Sequence, residues 1–190
     1  SEIVRLKKEI SDNYGSVTVL VNNAGSSSKV RSIAYIPKDQ WDDVLNVNLK
    51  SVYRICQEFL KDMLNKKNGT IITISSMAAL TPGLLGGSAY GAAKAAVTNL
   101  MGDINAEFSN MGIRATAIMP AEVDTPILEN RALVPNKDAR STMMQPEDLA
   151  DMIFTIASIN SRTTVETVVM KPTLKRDLSD DLNAAKNKTE

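Results

Sequence analysis

Four short aliphatic and β-branched runs, at residues 17–21, 69–75, 113–119 and 164–170, recur with helix-length segments between them. Strands joined through a helix-length segment make right-handed crossovers and pair in parallel, whereas an antiparallel meander needs only tight turns. That spacing confines the chain to the α/β class with a parallel sheet. The runs are almost continuously apolar, as expected of strands covered by helices on both faces. There is no internal repeat.

The intervening segments carry helical periods. Residues 2–13 place Ile3, Leu6 and Ile10 between charges, ended by Asn13 and Gly15. Residues 38–44 suit a short helix. From 46 to 65, Leu49, Val52, Tyr53, Cys56, Phe59, Leu60 and Met63 make one apolar stripe. Ser88 suits the N-cap of a helix to about residue 110, with Ala93, Val97, Leu100, Ile104 and Phe108 on one face and Gly112 as the stop. Pro146 suits the first turn of another helix, to 158. The 190 residues fit one domain, assigned to 1–172. The polar segment 173–190 is expected to be a short helix or a frayed tail.

Composition narrows the chemistry. There is no histidine, which removes Ser-His-Asp and Cys-His catalysis and His/Cys zinc sites. A single cysteine, Cys56, fits a reducing compartment, and a cytoplasmic location is expected. Lys plus Arg equals Asp plus Glu at 22 each, so the electrostatic footprint of a general nucleic-acid partner is missing. No apolar run approaches the roughly 18 residues of a membrane span, and no membrane partner is expected. What remains is carboxylate, Lys, Tyr or Ser chemistry, or a bound cofactor.

Ligands of open α/β sheets bind beyond the carboxyl ends of the strands. The segments there are Asn22-Asn23-Ala24-Gly25, then Ser75 and Ser76, then Pro120-Ala121-Glu122-Val123-Asp124-Thr125. Tyr90 and Lys94, four apart, share a helix face. A tyrosine with a pKa of about 10 is a poor base, and a nearby ammonium favours its phenolate. The pair therefore suits proton exchange with a carbonyl/alcohol couple, although a solvated helix face has the same spacing. Ser76 can donate to a substrate oxygen or cap the following turn. Asn48, inside a helical pattern, can bond local backbone, kink the helix or hold a water.

Taken together, NNAG at 22–25, VNL at 47–49, ISS at 74–76, YxxxK at 90–94 and PxxVxT at 120–125 resemble the short-chain dehydrogenase/reductase family over about 1–172. The resemblance implies a Rossmann-like, doubly wound parallel sheet. It implies an NAD or NADP cofactor and hydride transfer between a small-molecule carbonyl and a secondary alcohol, without a metal. Tyr90 becomes the acid/base. Lys94 becomes its partner and a ribose contact, Ser76 orients the carbonyl, and Asn48 holds a relay water. Asn23, Ala24, Gly25, Tyr90, Lys94, Pro120, Val123 and Thr125 line the cofactor. Residues 125–145 cover the substrate, and the long helices at 48–65 and 88–110 pair in a homodimer or homotetramer.

The sequence also departs from the family. Members begin with a strand and a Thr-Gly-x-x-x-Gly-x-Gly turn, yet Gly15 is the sole glycine before Gly25. The sheet is therefore expected to lack its first βαβ portion, with the determinant of NAD against NADP. The strand at 17–21 would then expose an edge with Val17, Val19 and Val21. A non-catalytic subunit or binding scaffold is the alternative function. Ala121 stands where the family usually has Gly. The Ser76–Tyr90 interval is one residue longer than usual, which keeps Ser75 as an alternative contact.

Overall fold

The computed structural model describes residues 2–189. Its strands are β1 (Val19–Asn22), β2 (Gly69–Ile74), β3 (Ile113–Pro120) and β4 (Thr167–Met170), all parallel, in the order β1-β2-β3-β4. The helices are α1 (Glu2–Tyr14), α2 (Lys38–Leu45), α3 (Ser51–Lys66), α4 (Ser88–Phe108), α5 (Lys137–Ser141), α6 (Pro146–Ser158) and α7 (Ser179–Asn187). The α/β class and the parallel sheet are as the spacing of the apolar runs predicts.

The period of two along each strand divides the core. Ile71, Ala115, Ala117 and Met119 face Val52, Cys56 and Met63 of α3 and Val97, Met101 and Ile104 of α4. Ile72 and Ile118 face the opposite layer, against Ile156 of α6. The register Ile71↔Ala115 and Ile72↔Thr116 keeps the two sets apart, since a slip of one residue would exchange the faces.

β1 lies at the sheet edge, as expected of 17–21, but neither edge strand has the two-sided cover expected of the apolar runs. β2 and β3 are buried almost throughout, but Val19 and Val21 of β1 are each 39% exposed and Val169 of β4 is 46% exposed. Each edge strand has one neighbour and incomplete helix cover. Both are also shorter than their apolar runs, because pairing begins at Val19↔Thr70 and at Ala117↔Thr167. Beside Ala115, ahead of β4, Asn105 of α4 stands in for a strand. Its amide donates to the Ala115 carbonyl at 2.8 Å and accepts from the Ala115 N–H at 2.7 Å.

Three further corrections bear on the site. The helices expected at 38–44 and 46–65 form one continuous run through a π-turn, Asn46–Lys50. Residue Ser88 is the first residue of α4 rather than its cap; the cap is Gly87, at φ 83°. The loop at 125–145 contains a 3₁₀ turn, Pro126–Asn130, and α5, whose Asn136 cap accepts from the Ala139 N–H at 2.9 Å. Of the two forms open to 173–190, α7 is present. Arg176 ties it down by bonding both Asp181 and Glu122. Among the described residues no helix is long and apolar enough to cross a membrane.

Candidate active site

Parallel pairing brings the carboxyl ends of all four strands, Asn22, Ile74, Pro120 and Met170, to one edge of the sheet. The segments leaving β1, β2 and β3 hold most of the residues singled out in the sequence. Asn23, Ala24 and Gly25 are exposed on their outer side. Behind Gly25 the packing is close: a Cβ there would lie 3.2 Å from Asn48 Oδ1 and 3.7 Å from Lys94 Nζ.

Asn48 sits in the π-turn and is fully buried. Its Nδ2 donates to the Val44 and Ser26 carbonyls, both at 2.8 Å, and its Oδ1 accepts from the Ser26 N–H at 3.4 Å. It thus bonds local backbone and pins the segment after β1 to the turn, leaving one lone pair on Oδ1. Isolated π-turns recur at functional sites because they turn side chains out of the regular helical progression.

Lys94 is 3% exposed. Its Nζ donates to the Ile74 carbonyl at 2.6 Å and lies 5.5 Å from the Tyr90 ring centroid. The i, i+4 spacing therefore does put both side chains on one face, with Lys94 buried and Tyr90 half-buried. Burial pushes the Lys94 ammonium down to about 8.

Burial also acts most strongly on Tyr90 and raises its pKa, against the opposing pull of the Ser76 hydroxyl and of the Arg31 and Arg131 guanidinium groups. The neighbouring ammonium was expected to lower this phenol. It does not govern it, because Nζ turns to the Ile74 carbonyl and partial burial of the phenol weighs more.

Ser76 performs the capping role: its hydroxyl oxygen accepts from the Ala78 N–H at 3.1 Å. The hydroxyl hydrogen remains for another acceptor. Ser75 is buried, donates to the Lys94 carbonyl at 3.0 Å and pairs with the Thr98 hydroxyl at 2.7 Å. It fastens the end of β2 to α4, so it is Ser76 that faces Tyr90.

The third wall follows β3. Pro120 ends the strand, buried beside Met170. Val123 pairs with Met144, flanked by the bonds Asp124 N–H to Met144 O at 2.9 Å and Met144 N–H to Glu122 O at 3.1 Å. Thr125 is extended and half-buried at the start of the 3₁₀ turn.

Two cations near Tyr90 have no counterpart in the sequence reading. Arg31, 4% exposed, rests against Gly87, where a Cβ would come within 2.8 Å of its Cδ. A left-handed backbone and the absence of a side chain both make glycine the residue for that position. Arg131 bonds Glu122 at 2.6 Å and approaches Asp181 at 3.5 Å. Both arginines come from polar loops without periodicity; the Gly86-Gly87 pair is the one local sign that something packs there.

The chain is similar to known proteins of one family. The family model for short chain dehydrogenase matches residues 1–134. The 3-oxoacyl-[acyl-carrier-protein] reductase of Thermotoga maritima is 31% identical over 169 residues, covering 84% of this chain and 66% of that protein. Dehydrogenase/reductase SDR family member 6 of Aquarana catesbeiana is 38% identical over 130 residues, 68% of this chain and 51% of that one. A crystal structure of a metagenomic short-chain oxidoreductase in complex with NADP superposes with a TM-score of 0.74 at 27% identity, covering 91% of this chain and 69% of that chain. The chain belongs to the short-chain dehydrogenase/reductase family, and it spans roughly half to two-thirds of the length of these two relatives.

Proposed function

We propose that the chain carries out NAD- or NADP-dependent interconversion of a small-molecule carbonyl compound and its secondary alcohol, with Tyr90 as the proton donor in the reductive direction. The observation that carries this reading is the position of Lys94, whose Nζ lies both over the Tyr90 ring and behind Gly25. One buried cation thereby joins the proton donor to the cofactor-lining segment.

The residues fit a nicotinamide cofactor on the evidence of Gly25. A Cβ there would press on Asn48 and touch Lys94, and without one the backbone of 23–25 is open beside Lys94. Asn23, Ala24, Gly25, Lys94, Pro120, Val123 and Thr125 would hold the group, Lys94 at its ribose. When bound, the cofactor supplies the hydride.

The chain supplies orientation and the proton. Ser76, its oxygen already engaged by the Ala78 N–H, has its hydrogen free for the substrate oxygen. Tyr90 gives its phenolic proton to the same oxygen, and its raised pKa keeps it protonated until that step. The resulting phenolate lies among the cations of Lys94, Arg31 and Arg131, which offset its charge. A water donating to the remaining lone pair of Asn48 Oδ1 would return a proton from solvent.

The helices α3 and α4 suit a homodimer or homotetramer. Tyr53 of α3 and Ala92, Ala95 and Ala96 of α4 are exposed, and small residues permit close helix approach. The enzymatic reading is tested by calorimetric titration with NADH and with NADPH, followed by consumption of the reduced cofactor with a panel of ketones and aldehydes. Binding with carbonyl-dependent turnover is expected; neither cofactor binding nor turnover contradicts it.

A further inference from the structure

Among the described residues, no carboxylate forms an ion pair with Arg31. Its guanidinium donates to the Gly86 carbonyl at 2.7 Å, the Asn130 carbonyl at 3.0 Å and the Ser27 hydroxyl at 3.5 Å, all neutral oxygens. The nearby carboxylates are committed elsewhere. Glu122 bonds Arg131 at 2.6 Å and Arg176 at 2.8 Å, while Asp181 bonds Arg176 at 2.8 Å and approaches Arg131 at 3.5 Å. Three guanidinium groups thus meet two carboxylates, and Arg31 holds the excess positive charge at 4% exposure. Burying a cation without a counter-ion is unfavourable. Burial and the like charge of Arg131 bring its pKa down to about 10.

Its position gives that charge a use. Arg31 lies along the N-terminal approach to α4: its carbonyl accepts from the Ser88 N–H at 3.0 Å, and its guanidinium is held on Gly86. A methyl group on Gly86 would be 3.6 Å from Tyr90 Cδ1. Arg31 is therefore in the wall beside the phenol that meets the substrate oxygen. Its bond to Asn130 fixes it to the 3₁₀ turn as well, so two loops hold the guanidinium.

We propose that Arg31 recognises a carboxylate on the substrate, so that the site takes short oxo acids and hydroxy acids in preference to neutral ketones and alcohols. This rests on the reading of Tyr90 as the proton donor. An Arg–carboxylate contact is charge-assisted and orients a planar group. Arg31 and the Tyr90 ring both flank Gly86, which favours acids whose carbonyl is one or two carbons from the carboxylate.

The test compares pyruvate with methyl pyruvate, and acetoacetate with methyl acetoacetate, as substrates of the chain supplied with NADH or NADPH. The acids are expected to exceed their esters in kcat/KM by at least about tenfold, the scale of one charge-assisted bond. In Arg31→Gln that ratio is expected to fall towards one, with Arg31→Lys between. A second readout needs no turnover: at constant ionic strength, millimolar propionate should raise the melting temperature of the wild-type chain and propionamide should not. Arg31→Gln should lose that response.

Equal turnover of acids and esters by the wild type overturns the inference and leaves carbonyl reduction standing. A propionate response lost in Arg31→Gln, in a chain that reduces nothing, supports the anion site and sinks the reductase reading. An equal loss on acids and esters in Arg31→Gln, with the acid–ester ratio kept, would make the Tyr90 phenolate the anion that Arg31 serves and overturns the inference.

Discussion

Lys94 Nζ donates to the carbonyl of Ile74, the last residue of β2, at 2.6 Å. A helix side chain is thereby held at the carboxyl end of a central strand, beneath the Tyr90 ring. Burial at that position brings the pKa of the ammonium down to about 8.

That shift has a definite sign for stability. The unfolded chain holds the Lys94 proton up to about pH 10.4, whereas the folded chain releases it near 8. Between these values the unfolded state binds more protons, so the contribution of Lys94 to stability rises with pH, and its cost is fully present below pH 8. Urea unfolding of the wild type and Lys94→Met at pH 7 and pH 10 is expected to show the difference moving in favour of the wild type by roughly 2 kcal/mol. A difference independent of pH would contradict the buried, protonated Lys94.

The same group sets an expectation for catalysis. A charged Lys94 supports the phenolate that forms on Tyr90, so reductive kcat/KM should decline above about pH 8 as that charge is lost. In Lys94→Arg, whose charge persists, the residual activity should lack that limb. A limb at the same pH in the variant would assign it to another group.

Ser75 and Ser76 should separate stability from activity. Ser75→Ala removes a buried hydroxyl bonded to the Lys94 carbonyl and to Thr98, at a cost of about 1–2 kcal/mol in stability. Ser76→Ala removes a half-exposed cap. It is expected to lower kcat/KM by at least about tenfold while leaving stability within about 1 kcal/mol. Chemical denaturation and kinetics of the two variants check this, and the reverse pattern would return Ser75 to the substrate.

Much of this site was legible because its signals are local. β2 and β3 are largely apolar and buried on both faces, so run and strand nearly coincide. The spacing of Tyr90 and Lys94 needs only a helix, and Gly25 follows a strand end. What escaped reading is set by distant partners. The start of β1 depends on where Thr70 pairs, and the start of β4 on Ala117. Gly87 caps α4 in place of Ser88 because Arg31, far away in sequence, packs against it. The cluster of Arg131, Glu122, Arg176 and Asp181 is assembled from three separate segments and has no period to detect. The raised pKa of Tyr90 depends on burial, which the helix spacing does not record.

The exposed small residues of α4 lead to a prediction about assembly. Ala92, Ala95 and Ala96 together with Tyr53 of α3 should form the face on which two copies meet. Sedimentation at micromolar concentration is expected to give a dimer or tetramer, and Ala96→Arg is expected to give a monomer. A wild-type monomer would show that the alanines serve only the surface of their own helix.

The central claim is that Tyr90 delivers the proton. Replacing Tyr90 by Phe keeps the ring beneath which Lys94 packs and removes only the hydroxyl. Single-turnover and steady-state reduction by Tyr90→Phe, measured beside its cofactor Kd, is therefore the most direct test. The account predicts a fall in kcat of about 100-fold or more with cofactor affinity little changed. A variant that retains more than about a tenth of the wild-type kcat would contradict it, because a positioned acid contributes at least about 100-fold.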